Sequence, residues 1–137
     1  MSKYSGIWPV APTPFHPNGE VDYEGMKRVL DCMIDQGVDG ICILANFSEQ
    51  FLITDAEREA LSRLSLEHVA GRVPVIVTIS HYATHIVLQR ARLSKELGAA
   101  MVMMMPPYHG ALLKGTPDQT FEPVSYTHLT LPTKRIV

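Results

Sequence analysis

The stretch from Gly37 to Glu57, GVDGICILANFSEQFLITDAE, decides the fold, because a glycine, a short apolar run, a polar cluster and a helix start follow one another within it. Ile41 to Leu44 is too short for a buried helix and is bounded by Gly40 and Asn46, so it reads as a strand buried on both faces. The cluster Asn46-Phe47-Ser48-Glu49 sits where that strand ends. Thr54, with Glu57 three residues on, is a capping box that turns the chain into a helix running back. A strand, a polar exit and a returning helix make one unit of a parallel sheet, and α/β folds place their chemistry at the carboxyl ends of such strands.

Outward from this unit the pattern repeats. Toward the amino terminus, GIWPVAPTP (Gly6 to Pro14) alternates apolar residues with prolines and reads as a first strand, followed by a turn from Phe15 to Gly19. Asp22 caps a helix whose stripe is Met26, Val29, Leu30, Met33 and Ile34, ending at Gly37. On the other side, the helix from Asp55 turns Ala60, Leu61 and Leu64 inward and ends near Gly71. Val73 to Ile79 is rich in β-branched residues and reads as a third strand, with Ser80-His81-Tyr82 at its carboxyl end. A helix from about Thr84, with Ile86, Val87, Ala91 and Leu97 inward, closes at Gly98; Ala99 to Met105 is a fourth strand, left by Pro106-Pro107-Tyr108-His109-Gly110. Strands therefore start near residues 7, 40, 73 and 99 with one helix between each pair, which implies right-handed crossovers and a parallel sheet. Thr13, Asn46 to Glu49, Ser80 to Tyr82, and Tyr108 with His109 then share one mouth. Spacing alone leaves a barrel and a doubly wound sheet both open.

The totals narrow the function classes. A chain of 137 residues, 46% apolar and 19% charged, suits one globular domain, and a formal charge of −2 gives no electrostatic reason to expect nucleic acid or an anionic membrane surface. The longest apolar run, Ala99 to Met105, falls far short of the roughly 20 residues of a membrane span. No secretory signal is read at the amino terminus, so a cytoplasmic protein is expected. Cys32 and Cys42 lie in apolar periodic segments and read as small buried hydrophobes, and Met101, Met103, Met104 and Met105 as strand filling. His81 and His85 lack an evident third ligand, so no metal is expected.

Thr116-Pro117-Asp118-Gln119 announces another helix, but Pro123 follows within two turns, at a cost of about 3 kcal/mol or more. The segment VSYTHLTLPTKRIV beyond it shows no period. Residues from Pro123 to about Thr133 also match, in one reading frame, the translation of a transposon-end adapter used in sequencing libraries. The expectation is a domain over 1–122 and a non-native tail over 123–137.

Gly6-Ile7 to Thr13-Pro14-Phe15, Gly19-Glu20-Val21-Asp22, Asn46-Phe47-Ser48-Glu49, Gly71-Arg72-Val73-Pro74-Val75-Ile76 and Pro106-Pro107-Tyr108, in that order, resemble the dihydrodipicolinate synthase and N-acetylneuraminate lyase superfamily. Within it, ILANFSEQF, SHYAT and MPPYHGA look most like the 2-keto-3-deoxy-L-arabonate dehydratase branch. The resemblance implies an α/β fold that is the amino-terminal half, about four βα units, of a (β/α)8 TIM barrel. It also implies a parent enzyme that is a homo-oligomer, commonly a tetramer, and acts on a small 2-keto acid without a cofactor.

The family's Gly-Thr-Thr-Gly-Glu loop, which holds the substrate carboxylate, aligns with Ala45-Asn46-Phe47-Ser48-Glu49. Both threonines are replaced, so Asn46 and Ser48 are the candidate donors. Phe47 lines the site but cannot relay a proton, which favours a dehydratase or related lyase over the synthase. Tyr108 matches a tyrosine that in many members reaches a neighbouring active site, and His81 is a candidate for binding a hydroxyl or supporting a group that does. The chemistry implied is a lysine amine forming a Schiff base with a 2-keto acid; a proton then leaves C3 through the enamine, and the hydroxyl on C4 departs. That lysine belongs to a sixth strand, and Lys114, exposed on a loop with a pKa near 10, is a poor substitute. The chain alone is therefore expected to be inactive, as the fragment of a dehydratase. The alternatives are the synthase, an aldolase acting on 2-keto-3-deoxy sugar acids, and a non-catalytic half-barrel, which with its open edges should dimerise, aggregate or stay molten.

Overall fold

The computed structural model describes residues 4–105. Their element order is α1 (Tyr23–Asp35), β1 (Ile41–Ile43), a single 3-10 turn (Asn46–Ser48), α2 (Asp55–Val69), β2 (Val75–Thr78), α3 (Thr84–Glu96) and β3 (Met101–Met103). The strands are parallel and lie in chain order β1-β2-β3, with Cys42 opposite Ile76 and Val77 opposite Val102. The order shows no reversal among the described strands, as in a barrel.

The first expected strand is present in position but not as a ladder. Val10 forms an isolated parallel bridge with Cys42, the Ala11 N–H donates to the Cys42 carbonyl at 2.8 Å, and the Cys42 N–H donates to the Pro9 carbonyl at 2.9 Å. Pro9, Pro12 and Pro14 have no N–H to give, so a regular run of bonds cannot form. β3 is likewise shorter than the expected 99–105, and β2 shorter than 73–79.

Helix ends follow the sequence closely. The Asp22 carboxylate accepts from the Gly25 N–H at 2.7 Å, and Gly37, at φ 78°, carries the left-handed turn beyond α1. The Thr54–Glu57 box is complete: Thr54 N–H donates to Glu57 Oε2 at 2.8 Å, and Glu57 N–H donates to Thr54 Oγ1 at 3.2 Å.

Side chains alternate across β1. Ile41 and Ile43 join Met26, Leu30, Leu61, Val75 and Val77 in the main core under the helices. Cys42 points to the other face, where its thiol lies 3.8 Å from the Thr78 hydroxyl, and burial pushes that thiol's pKa up. On α2 the buried face is Arg58, Leu61, Ser62, Ser65 and Val69, while Ala60 and Leu64 are only half-buried, so the stripe is rotated from the one expected. Ser62 and Ser94 each turn a hydroxyl back onto the carbonyl four residues earlier, of Arg58 and Arg90, so each buried hydroxyl is satisfied within its own helix.

Leu61 is fully buried at the centre of this layer. Leu61→Ala should cost about 2–5 kcal/mol, read as a lower urea midpoint. An unchanged midpoint would show that the helical layer does not pack as described.

Candidate functional site

The carboxyl ends of the strands carry the polar groups, and β1 contributes the most constrained of them. Leu44, at φ 59°, breaks the strand, and Glu49, at φ 57°, closes the 3-10 turn with its N–H on the Asn46 carbonyl at 3.0 Å. Two non-glycine residues in left-handed backbone bracket the four residues from Ala45 to Ser48, and such strain persists only where the surroundings enforce it.

The enforcing contacts come from the first segment. Ser48, 1% exposed, donates its hydroxyl proton to the Ala11 carbonyl at 2.6 Å, and Thr13 donates to the Ser48 carbonyl at 2.8 Å. A hydroxyl has one proton, and that of Ser48 is committed to Ala11 in this structure. Its side chain thus anchors the loop here rather than offering the donor expected of it. Asn46 is steadied from behind, since the buried Gln50 donates from Nε2 to Asn46 Oδ1 at 2.7 Å. Phe47 stands 70% exposed at the turn.

At the end of β2, Ser80 is buried and its Oγ accepts from the Met105 N–H at 2.9 Å, which carries the β2–β3 pairing one step past the ladder. His81 is half-buried; its Nδ1 accepts from the Ala83 N–H at 3.0 Å, and its ring meets Tyr82 edge-on. Burial first and Arg90 second push the imidazole below its ordinary pKa, while Asp55 opposes them. Tyr108, His109, Lys114, the expected 116 helix and the tail lie outside the described residues. Among the described residues no group of three side chains could hold a metal, and no helix is long and apolar enough to cross a membrane.

Two arginines behind this rim escape a reading by hydrophobic period. Arg58, 5% exposed, donates through Nη2 to the Thr78 carbonyl, while its Nη1 has no hydrogen-bond partner among the described residues. The β1–β2 register would continue with Leu44 opposite Thr78, and β1 turns away at Leu44, so Arg58 caps a strand end that β1 has left. Burial, then Arg90, bring its guanidinium down to about 9, with Asp55 opposing. Arg90 donates to the Ser80 carbonyl at 2.6 Å and to Asp55 Oδ1 at 2.9 Å. The available signal for Arg58 is its place three residues before Leu61 on one helix face.

A parallel sheet in sequential order with returning helices is the architecture of the amino-terminal part of a (β/α)8 barrel. The chain belongs to the dihydrodipicolinate synthetase family, whose model matches residues 3–132. It is 59% identical over 120 residues to the L-2-keto-3-deoxyarabonate dehydratase of Azospirillum brasilense, covering 88% of this chain and 39% of that protein. It is 30% identical over 104 residues to the 4-hydroxy-tetrahydrodipicolinate synthase of Protochlamydia amoebophila, covering 76% of this chain and 35% of that one. Among solved structures, N-acetylneuraminate lyase from Mycoplasma synoviae superposes with a TM-score of 0.86 at 26% identity, over 96% of this chain and 45% of that one. The chain thus spans less than half the length of these relatives, and its fold is the corresponding part of their barrel.

Ser48→Ala leaves the buried Ala11 carbonyl without its donor and should cost about 1–3 kcal/mol in urea unfolding. Thr13→Val should cost a similar amount, and the double variant less than the sum, because both bonds hold one junction. Full additivity would show that the two bonds act separately.

Proposed function

We propose that this chain is the amino-terminal part of a Schiff-base-forming hydro-lyase that dehydrates 2-keto-3-deoxy-L-arabonate to 2-oxoglutarate semialdehyde. The observation that carries the reading is the 59% identity to the dehydratase over 120 residues, 88% of this chain. In this reading the 45–49 turn receives the substrate carboxylate. Asn46 and the backbone amide of Phe47 are the donors, since the Ser48 and Glu49 amides close the turn on the Ala45 and Asn46 carbonyls; Ser48 and Thr13 hold the turn in shape, and Phe47 covers the bound acid with an apolar face. A phenylalanine there has no hydroxyl through which to pass a proton, which supports dehydration over the synthase reaction. The assembled enzyme is a homo-oligomer, in which Tyr108 serves the active site of a neighbouring subunit.

The nucleophile is a lysine on a later strand of the barrel. Its amine condenses with the C2 ketone, releasing water; the iminium then draws the C3 proton off to a base, and the enamine expels the C4 hydroxyl as water once it is protonated. The 137-residue chain supplies carboxylate binding but not that amine, so by itself it turns over no substrate.

Borohydride trapping with pyruvate or a 2-keto-3-deoxy acid, read by intact mass, should leave this chain unmodified. An adduct on one lysine would contradict the assignment of the nucleophile to another part of the barrel. On the complete enzyme the same acid should lose water without releasing pyruvate; pyruvate release would make it an aldolase.

A further inference from the structure

Two charged side chains meet behind the β2 exit, and neither has a part in the reaction as described so far. Arg90 of α3 reaches in two directions at once, to the Ser80 carbonyl at 2.6 Å and to Asp55 Oδ1, at the first position of α2, at 2.9 Å. The Arg90 side chain is largely buried while that of Asp55 is largely exposed, so the guanidinium, not the carboxylate, is the fixed member of the pair. Ser80 is in turn bonded to the Met105 N–H at the end of β3. The residue that follows is His81, whose position is therefore set from α2, α3 and β3 together.

The ring itself is oriented by a fourth contact. The Ala83 N–H donates to Nδ1 at 3.0 Å, and a donor there requires a lone pair, so Nδ1 carries no proton. The neutral ring then holds its proton on Nε2. The titratable and charged groups that reach it are Arg90 and His85 from α3 and Asp55 from the start of α2; burial first and Arg90 second disfavour a second proton on the ring, with Asp55 opposing them.

We propose that Arg90, tied to Asp55, is a positioning residue that fixes the 80–82 loop so that His81 is presented as a neutral Nε2–H donor to a hydroxyl of a hydroxylated 2-keto acid. The inference rests on the lyase reading for its ligand, but not for the tautomer or for the part played by Arg90. A neutral donor suits a sugar-acid hydroxyl because it binds the oxygen without placing a full positive charge beside the cationic iminium. It also separates two ligand classes: pyruvate has no hydroxyl to receive the bond, and a 2-keto-3-deoxy pentonate has.

The test is long-range ¹H–¹⁵N spectroscopy of the histidine rings in the labelled 137-residue chain. At pH 7.5 the His81 signals should report a protonated Nε2 and an unprotonated Nδ1, with a titration midpoint below that of free histidine. Arg90→Gln should move the midpoint upward, since it removes a cation and releases Asp55, and should let the ring average between tautomers. Arg90→Lys should keep the low midpoint, because the charge remains, without restoring the single tautomer, because one ammonium lacks the guanidinium's planar fork to both partners. A protonated Nδ1 in the unaltered chain, or an Arg90→Gln spectrum unchanged in both respects, would overturn the proposal. Added 2-keto-3-deoxy-L-arabonate should then shift His81 Nε2, and pyruvate should not. If neither acid shifts it while the tautomer and the Arg90 effects hold, the hydroxyl-binding role and the lyase reading fail and the positioning role stands.

Discussion

The hydrogen bond from the Ser48 hydroxyl to the Ala11 carbonyl, 2.6 Å long and out of water, is the contact on which the amino-terminal half of the sheet depends. Three prolines in the first segment remove the donors that a strand would use against β1, so only a short stretch of backbone pairing survives. Ser48 and Thr13 restore two of the missing connections with side chains. The same bonds hold a turn bracketed by left-handed Leu44 and Glu49, a conformation that loose loops do not keep. Fixing the first segment and shaping the turn after β1 are therefore one physical event.

Much of this was legible in the residues, and the exceptions have specific causes. Asp22, Gly37 and the Thr54–Glu57 box mark helix ends because capping is local chemistry, set by side chains within three or four positions of the groups they satisfy. The strand Ile41–Ile43 was legible because both of its faces are apolar. The first segment was readable in place but not in kind, since its alternation suits a strand while its prolines forbid the ladder. A barrel could not be separated from an open sheet by spacing, because both repeat the same unit; the sequential order of β1, β2 and β3 is a tertiary fact.

The site divides in the same way. Asn46, Phe47, Ser48 and His81 could be listed from their position at strand ends, yet position does not say what each group bonds to. Ser48 was readable as a donor and not as one committed to Ala11, because its partner lies 37 residues earlier. Arg58 escaped notice because arginine is ordinarily a surface residue, and its burial follows from a carbonyl on β2 that β1 leaves open. Arg58 and Arg90 give the β2 exit its shape from the outside, as Ser48 and Thr13 do for β1 from the neighbouring segment. In both cases a strand end that lacks a backbone partner is finished by a side chain, and the polar rim is the result.

The measurement that tests this account most directly is a backbone amide map of the chain titrated with a 2-keto acid. The account predicts saturable shifts concentrated in the amides of residues 45–49, lost in Ser48→Ala under conditions where that variant remains folded. Shifts confined to the outer faces of α1 and α2, or no saturable shift anywhere, would contradict the claim that the strained turn after β1 is where the acid is held.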